Sequence, residues 1–532
     1  MTTETRPTVR TGSSPQGPLW AGTTVGTLVL RALRRYPDRI AFASDGSTGN
    51  LTYAAATELI GRIQRVLADR GFRRGDRIGL LAGNSAEAWC TGIAVQASGM
   101  ATSWLHPLGS VEDQLYQLAD LDAAACLVDA RRHGARGAAL AAGSGDVPVL
   151  GLGPSEFGPD LLAEAAAVGA AAARDVAHVE DLALVNYTGG TTGRPKGVMR
   201  RHPAVTHIMS IGTLTDFEIP FDARYLAVAP ITHVAGTKVV PVLQRGGTVH
   251  LQDGFEPGRF LETVARERIT MTLAVPTMIY ALLDHPALDR TDLGSLELLL
   301  YGASPMSPTR LAEGLQRIGP VFSQLYGQTE CYPISVLRRA EHADPTLEGS
   351  CGVPISTVDV TLLDPDGNPV EPGDPGEICV RGPGTMEEYW RRPELTEQAF
   401  AHGWLHTGDV ARRDDRGYLT IVDRTKDMII SGGFNVFPRE VEDALTSHDA
   451  VAMAAVFGLP DEKWGEAVTA AVVLRPGAQI TAEELTAHVR RLKGAVQAPK
   501  SVHLVDALPT TAVGKIDKKA LRAGLRTGGL ER

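Results

Sequence analysis

The stretch Tyr187-Thr-Gly-Gly-Thr-Thr-Gly-Arg-Pro-Lys-Gly-Val-Met199 decides how the rest of this sequence is interpreted. Between Thr188 and Val198 it contains four glycines, three threonine hydroxyls and one lysine. Glycines allow backbone N–H groups to converge on an anion, and the hydroxyls and the Lys196 ammonium add further donors. The preceding segment, Leu182–Asn186, is apolar and strand-like. The sequence therefore predicts a strand followed by a phosphate-binding loop.

This loop is not of the Walker A type, Gly-x-x-x-x-Gly-Lys-Ser/Thr. Lys196 follows Pro195 instead of glycine, and Gly197 stands where a magnesium-binding hydroxyl is needed. A plain surface turn is the simplest alternative, but it does not explain this density of phosphate donors. The residues expected to hold phosphate are Thr188, Gly189, Gly190, Thr191, Thr192, Gly193 and Lys196.

Size and composition indicate a globular protein of more than one domain. The chain has 532 residues, 43% hydrophobic and 21% charged, with a formal net charge of −10. This length exceeds the roughly 100–200 residues of a single domain. The negative charge disfavours nucleic acid or an anionic membrane as a partner. No apolar run has membrane-spanning length, and Met1–Pro18 lack the apolar segment of a signal peptide.

The cysteines favour a reducing, cytoplasmic location. None belongs to a Cys-x-x-Cys pair, so neither a zinc site nor a disulfide framework is expected. The five are Cys90, Cys126, Cys331, Cys351 and Cys379.

Alternating strand-like and helical patterns predict an α/β fold with helix-covered, mostly parallel sheets. The predicted divisions are a disordered arm at 1–20, a large domain at 21–423, a hinge at 424–427 and a small mobile α+β domain at 428–532. Short strands separated by turn signals predict a β-rich subdomain within the large domain, from about Asp359. Predicted strands include Arg77–Leu81, Val149–Leu152, Leu182–Asn186, Thr248–Leu251, Leu296–Tyr301 and Gly376–Arg381.

Six further segments, together with the phosphate loop, resemble the signature of the adenylate-forming superfamily of acyl-CoA synthetases, peptide-synthetase adenylation domains and luciferases. Each alone is a modest motif, for which a turn or a solvated charge is the simplest alternative. Their shared order over about 330 residues makes coincidence a poor explanation. The segments are Pro230–His233, Tyr301–Ser304, Tyr326–Glu330, Trp404–Asp409, Asp423–Arg424 and Pro509–Lys515.

The resemblance implies ATP-dependent activation of a small carboxylic acid, with Lys515 as the catalytic lysine between the carboxylate and the α-phosphate. It also implies that Thr329 meets phosphate and that Glu330 is the ligand of Mg²⁺, a cation that prefers oxygen donors. Lys426 occupies the position of the family's hinge residue. The nucleotide-binding residues implied besides the phosphate loop are Gly302, Ala303, Ser304, Tyr326, Gly327, Asp409 and Arg424.

The second half-reaction implied by the resemblance is attack of coenzyme A on the adenylate, with Ser431, Gly432 and Gly433 beside the pantetheine chain. The implied acid-binding residues are His233, Val234, Gly236, Tyr301, Cys331 and Tyr332. Here the sequence departs from many bacterial relatives, because Cys331-Tyr332 replaces small apolar residues after Glu330. A tyrosine there favours a compact or aromatic acid over a long fatty chain. Cys331 is interpreted as a pocket wall and not as a nucleophile.

Three alternatives remain open at this point. The same nucleotide machinery would serve an ATP-dependent diazotase that uses nitrite to diazotise an aryl amine. The acceptor thiol could belong to a carrier protein instead of coenzyme A. A non-catalytic nucleotide-binding regulator is disfavoured because Lys515 and Glu330 are both present. The sequence does not indicate the oligomeric state.

Overall fold

The computed structural model describes residues 22–44, 49–188, 194–211, 214, 216–424, 427–431, 434–461, 463–511 and 515–526. The arm predicted at 1–20 and Lys426 of the predicted hinge lie outside the described residues.

The first sheet of the large domain has a parallel centre and antiparallel edges. Every neighbouring pair from Phe322–Gln328 to Ile40–Ser44 is parallel, whereas the pairs at both ends are antiparallel. The spatial order is Val353–Pro354, Cys331–Leu337, Phe322–Gln328, Leu298–Gly302, Met271–Ala274, Arg224–Ala227, Thr248–Leu251, Ile40–Ser44 and Leu51–Thr52.

The second sheet carries the phosphate motif at one side. Its strands are parallel from Leu182–Thr188 to Val149–Leu152, and the two strands beyond Leu182–Thr188 are antiparallel. The spatial order is Glu388–Tyr389, Lys196–Arg201, Leu182–Thr188, Ala101–Trp104, Arg77–Leu81, Ala125–Asp129 and Val149–Leu152.

The third and fourth sheets are smaller. The third is antiparallel, in the order Asp359–Leu363, Gly376–Arg381, Leu405–Arg413 and Leu419–Arg424. The fourth belongs to the C-terminal part and runs Phe434–Val436, Ile429–Ser431, Gly465–Leu474 and Val451–Asp461, with Ser501–Leu504 parallel to Gly465–Leu474.

The helices begin at residues that the sequence marks as helix starts. Thr24, Thr52 and Ser85 accept a backbone N–H of the first helical turn, which satisfies one of its free donors. Within the described residues, five α-helices begin at a proline, whose missing N–H costs nothing there. The α-helices are Val25–Arg35, Tyr53–Asp69, Ala86–Ala97, Val111–Leu121, Ala130–Gly143, Leu161–Ala167, His202–Thr206, Val239–Gln244, Pro257–Glu267, Pro276–Leu283, Pro308–Arg317, Pro393–Ala399, Pro438–Thr446, Ala482–Lys493 and Lys518–Arg526.

The hydrophobic cores divide the described chain between Ile421 and Ile429. Three clusters draw only on residues up to Ile421, and two draw only on residues from Ile429 onward. The two units touch next to Ser304 of the predicted nucleotide loop. There Arg439 Nη2 donates to the Met306 carbonyl at 2.6 Å, and Ser307 Oγ donates to Thr446 Oγ1 at 3.1 Å.

This architecture confirms the predicted α/β class, with a large domain of mostly parallel sheets, a small antiparallel sheet and a small C-terminal domain. The mobility of the C-terminal domain stays a prediction. Across the described residues, no helix combines the length and apolar character needed to cross a membrane.

Candidate active site

The predicted phosphate loop is the tip of a β-hairpin. Leu182–Thr188 and Lys196–Arg201 pair antiparallel, and Thr188 lies directly opposite Lys196. Lys196 already belongs to the second strand, and Met199 and the residue before it are apolar, buried and paired with the first strand. Directly opposed residues project from the same face of a sheet, so the Thr188 hydroxyl and the Lys196 ammonium share a face. The tip residues Gly189, Gly190, Thr191, Thr192 and Gly193 lie outside the described residues.

A tyrosine absent from the sequence motifs connects Lys196 with Glu330. Lys196 Nζ lies 4.5 Å from the centroid of the Tyr389 ring, and the Tyr389 hydroxyl donates to Glu330 Oε1 at 2.8 Å. Burial and the neighbouring Glu330 charge raise the pKa of the Tyr389 phenol, so it keeps its proton. The ring thus holds a cation and a carboxylate at the same site, while no described residue hydrogen-bonds the second carboxylate oxygen of Glu330.

Arg200 fixes the turn that carries Thr329 and Glu330. Its guanidinium is buried, and Nη2 donates to the Thr329 carbonyl at 2.5 Å and to the Gly384 carbonyl at 3.2 Å. Burial lowers the pKa of Arg200 to about 10, so the group remains charged at neutral pH. This buried charge lies in the field of Glu330 and adds to the positive potential beside the hairpin.

Tyr326 and Asp409, from two separate motifs, meet in one hydrogen bond. The Tyr326 hydroxyl donates to Asp409 Oδ2 at 2.7 Å, and Gln328 Nε2 donates to the Thr407 carbonyl at 3.2 Å. Asp409 is 4% exposed and is paired across the third sheet with Arg424, whose side chain lies outside the described set. The structure therefore joins the first sheet to the third at the two residues implied to hold adenosine.

A glutamate–histidine pair holds the backbone just before Asp409. Glu377 Oε2 lies 2.8 Å from His406 Nδ1, and Glu377 Oε1 accepts from the Gly408 backbone N–H at 2.7 Å. Gly408 has a φ of 73°, in the left-handed region that favours glycine. This pair was not expected from the sequence, although His406 lies inside the motif.

The segment Tyr301–Ser304 follows the end of a central parallel strand. Ala303 adopts a φ of 67°, a conformation that costs a non-glycine residue about 1–3 kcal/mol and is concentrated at functional loops. The Tyr301 side chain is buried, and its hydroxyl bonds Gln324 Oε1 at 3.1 Å and His342 Nε2 at 3.0 Å. The Tyr301 hydroxyl is therefore used by contacts within the protein, and the assignment of Tyr301 to the acid stays a prediction.

Gly236 and Gly302, which the resemblance assigns to the acid and the nucleotide, are needed by the protein itself. A Cβ at Gly236 would lie 1.8 Å from the Ile231 carbonyl oxygen, and one at Gly302 would lie 2.2 Å from the Leu325 carbonyl oxygen. Close backbone approach therefore explains both glycines without a ligand.

His233 lies directly before a 3₁₀ helix, Val234–Lys238, in the predicted acid-binding segment. Its ring lies 4.6 Å, centroid to centroid, from His106, a residue the motifs do not include. Burial, and then the neighbouring His106, lower the pKa of His233 to about 3, so His233 is neutral at physiological pH. A neutral imidazole with such a pKa is a weak base, in agreement with a binding role.

Cys331 and Tyr332 begin the strand Cys331–Leu337, directly after Glu330. Burial raises the pKa of the Cys331 thiol to about 11, which leaves too little thiolate for a nucleophile. Tyr332 is 8% exposed, and its hydroxyl accepts a hydrogen bond from Lys238 Nζ at 2.6 Å. Lys238 was not expected in the site, because one lysine after an apolar segment carries no local signal.

In the C-terminal domain, the turn at Lys515 is closed by Thr511. The Lys515 N–H donates to Thr511 Oγ1 at 3.2 Å, and the Thr511 N–H donates to the Lys515 carbonyl at 2.7 Å. Ser431 is buried and ends the first strand of a short hairpin, Ile429–Ser431 with Phe434–Val436. Gly432 and Gly433 lie outside the described residues.

Replacing Tyr389 with phenylalanine tests the contact between Tyr389 and Glu330. A hydrogen bond to a charged group contributes about 1.5–3 kcal/mol, so we expect the adenylate formation that the resemblance implies to slow by roughly 10- to 100-fold. Tyr418→Phe is the matched control, because the Tyr418 hydroxyl donates to Glu341 Oε1 at 3.1 Å away from the motifs. Rates should be measured as carboxylate-dependent exchange of pyrophosphate into ATP. Equal rates for the two variants would contradict a positioning role for Tyr389.

Family models match most of the chain. The AMP-binding enzyme family matches residues 29–390, and the AMP-binding enzyme C-terminal domain matches residues 440–515. The chain therefore belongs to the AMP-binding enzyme family, and it is an adenylate-forming ligase of the acid–CoA ligase type.

Individual relatives differ in the acid and in the acceptor that they use. A medium/long-chain-fatty-acid–CoA ligase of Mycobacterium tuberculosis is 42% identical, over 94% of this chain and 89% of its own. A feruloyl-CoA synthase of Amycolatopsis is 39% identical, over 94% and 98%. The structure of the amide bond synthetase McbA from Marinactinospora thermotolerans matches with a TM-score of 0.86 at 35% identity, over 94% and 99%.

Proposed function

We propose that this protein joins a compact or aromatic carboxylic acid to coenzyme A through an acyl-adenylate. The observation that carries the proposal is the contact of Tyr389 with both Lys196, the first residue of the hairpin's second strand, and Glu330. The ammonium of Lys196 suits phosphate and the carboxylate of Glu330 suits Mg²⁺, and their contact with the same tyrosine supports the proposal. The small domain at 428–532, the hinge at 424–427 and a cytoplasmic location belong to the same proposal.

In the first half-reaction, an oxygen of the substrate carboxylate attacks the α-phosphorus of ATP, and the bond to pyrophosphate breaks. Negative charge grows on the phosphoryl oxygens, so positioned cations supply most of the assistance. Thr188 and Lys196 hold the outer phosphates, Asp409 holds the ribose with Tyr326, and Lys515 binds the carboxylate and the α-phosphate. In the second half-reaction, the coenzyme A thiol loses its proton and attacks the acyl carbon, and AMP leaves.

The donors at Glu330 suit Mg²⁺. Its second carboxylate oxygen has no hydrogen bond from a described residue, and the adjacent Thr329 offers a hydroxyl; both are hard oxygen donors. When bound, Mg²⁺ neutralises phosphate charge. Tyr389 orients the carboxylate, and Arg200 holds the backbone of the turn through the Thr329 carbonyl.

A substrate panel tests the proposal directly. Fatty acids, benzoates and cinnamates should each be offered with ATP, with and without coenzyme A, and AMP release and thioester should be measured. We expect AMP release that depends on both a carboxylate and coenzyme A. Nitrite with aminobenzoates forms the opposing arm. If AMP release requires nitrite and an aryl amine but not coenzyme A, the enzyme is a diazotase and the proposal fails.

An amine acceptor is the second candidate, and the similarity to McbA supports it. Both products start from the same adenylate, so pyrophosphate exchange does not distinguish them. Mass spectrometry of reactions that contain equal concentrations of coenzyme A and a primary amine does. A thioester supports the ligase proposal, whereas an amide alone supports the second candidate. A thioester formed only on a carrier protein would support the carrier-protein alternative.

A further inference from the structure

Lys238 is a buried lysine for which the described residues supply no opposite charge, and burial lowers the pKa of its amine well below the usual range. It is 0% exposed, and no described carboxylate forms an ion pair with it. Its Nζ lies 4.5 Å from the centroid of the Phe217 ring and 4.9 Å from that of the Tyr332 ring. A buried charge is strongly unfavourable unless it is paired, so this position requires a reason.

One hydrogen bond orients the Lys238 amine. Its Nζ donates to the Tyr332 hydroxyl at 2.6 Å, while the neighbouring Thr237 hydroxyl donates to the Val234 carbonyl at 2.7 Å. A protonated amine has three N–H donors, and among the described residues one of them meets a hydrogen-bond acceptor. An acceptor oxygen beside Nζ would use the remaining donors, and an anionic one would stabilise the proton that burial disfavours.

The cluster adjoins the two segments to which the acid is assigned. Lys238 ends the 3₁₀ helix that follows His233, and Tyr332 lies two residues after Glu330. On the basis of the proposed function, we infer that Lys238 binds an acceptor oxygen at the far end of the acid, and that the preferred substrates carry a second carboxylate or another anionic oxygen there. An apolar tail would leave both N–H groups unpaired. Hydrogen-bonding sites reject ligands that lack the partner group for this reason.

The test uses matched acids that differ at the far end. The aromatic series is cinnamate with a para carboxylate, hydroxyl or methyl group; the aliphatic pair is adipate and heptanoate. We expect the wild-type kcat/KM for the oxygen-bearing acid to exceed that for the apolar acid by roughly 10- to 100-fold. In Lys238→Met the ratio should fall to about 1. The carboxylate and hydroxyl arms distinguish an anionic oxygen from a neutral one.

Two further variants separate recognition from folding. Tyr332→Phe should reduce the ratio partly, because the ring remains while the partner of Nζ is lost. Tyr53→Phe is its control, since it deletes another buried phenol whose hydroxyl donates to the Gly247 carbonyl at 2.6 Å. If Lys238→Met does not fold, Lys238→Gln replaces it. Because burial already disfavours the charge on this amine, both variants should unfold at or above the wild-type temperature.

The outcomes separate the inference from the proposed function. An unchanged ratio in Lys238→Met, or a wild-type preference for the apolar acids, overturns the inference while the ligase stands. If no acid releases AMP, the proposed function fails, and calorimetric titration with adipate still tests Lys238. The wild type should then bind adipate at least about tenfold more tightly than Lys238→Met, and equal affinities overturn the inference.

Discussion

Replacing Lys515 with alanine should slow acyl-adenylate formation by about 100- to 1,000-fold, the usual cost of removing one donor that stabilises developing charge. The backbone of the turn should persist, because its two hydrogen bonds use Thr511 and the main chain of Lys515, not the ammonium. Attack of coenzyme A on a preformed adenylate needs no charge on the α-phosphate of ATP, so it should change much less. Pyrophosphate exchange and single-turnover thioester formation measure the two steps separately.

Lys519→Ala is the matched control for Lys515→Ala. Lys519 is exposed on the helix Lys518–Arg526, four residues further along the chain. It should leave both half-reactions close to the wild type. Equal losses of the two half-reactions in Lys515→Ala would contradict the assigned role, because they would indicate damage to the C-terminal domain and not loss of one charge.

Strands with simple apolar patterns could be predicted from the sequence residue by residue. Arg77–Leu81, Val149–Leu152, Thr248–Leu251 and Gly376–Arg381 have the predicted bounds. Their signal is local, because each is a short segment with at least two large apolar residues and with glycine, proline or polar turn residues close to both ends.

Strands inside the chemical motifs were missed or shortened. The phosphate hairpin includes Lys196–Arg201, and the Asp409 motif lies within Leu405–Arg413. Glycine, threonine and charged residues weaken the strand pattern, while pairing with a neighbouring strand overrides that local preference. The motif order still indicated the family, because the chemistry of ATP binding specifies these residue types regardless of secondary structure.

The residues that organise the site could not be predicted, because their partners are distant in sequence. Tyr389 lies 59 positions from Glu330, and Lys238 lies 94 positions from Tyr332. Arg200 and Arg201 look alike in the sequence, yet Arg200 is buried against two carbonyls, whereas Arg201 pairs with Glu387. Only the strand order shows which basic side chain enters the site.

Replacing Glu330 with glutamine should reduce adenylate formation by about 100-fold and raise the Mg²⁺ concentration needed for half-maximal rate. The amide keeps the size of the side chain and can still accept from Tyr389, but it loses the charge that binds a hard cation. The measurement is pyrophosphate exchange across a Mg²⁺ titration at saturating ATP. Glu341→Gln is the control, because Glu341 accepts from Tyr418 in the same manner outside the motifs.

The double variant Glu330→Gln with Tyr389→Phe determines whether the tyrosine acts through the carboxylate. If Tyr389 only orients Glu330, its loss should matter little once the charge is gone, so the two effects should be strongly non-additive. Fully additive losses would mean that Tyr389 acts instead on Lys196, whose ammonium faces the same ring. An unchanged Mg²⁺ dependence in Glu330→Gln would contradict the assignment of Glu330 as the metal ligand. The proposed pairing of a metal-binding carboxylate with the phosphate hairpin would then fail.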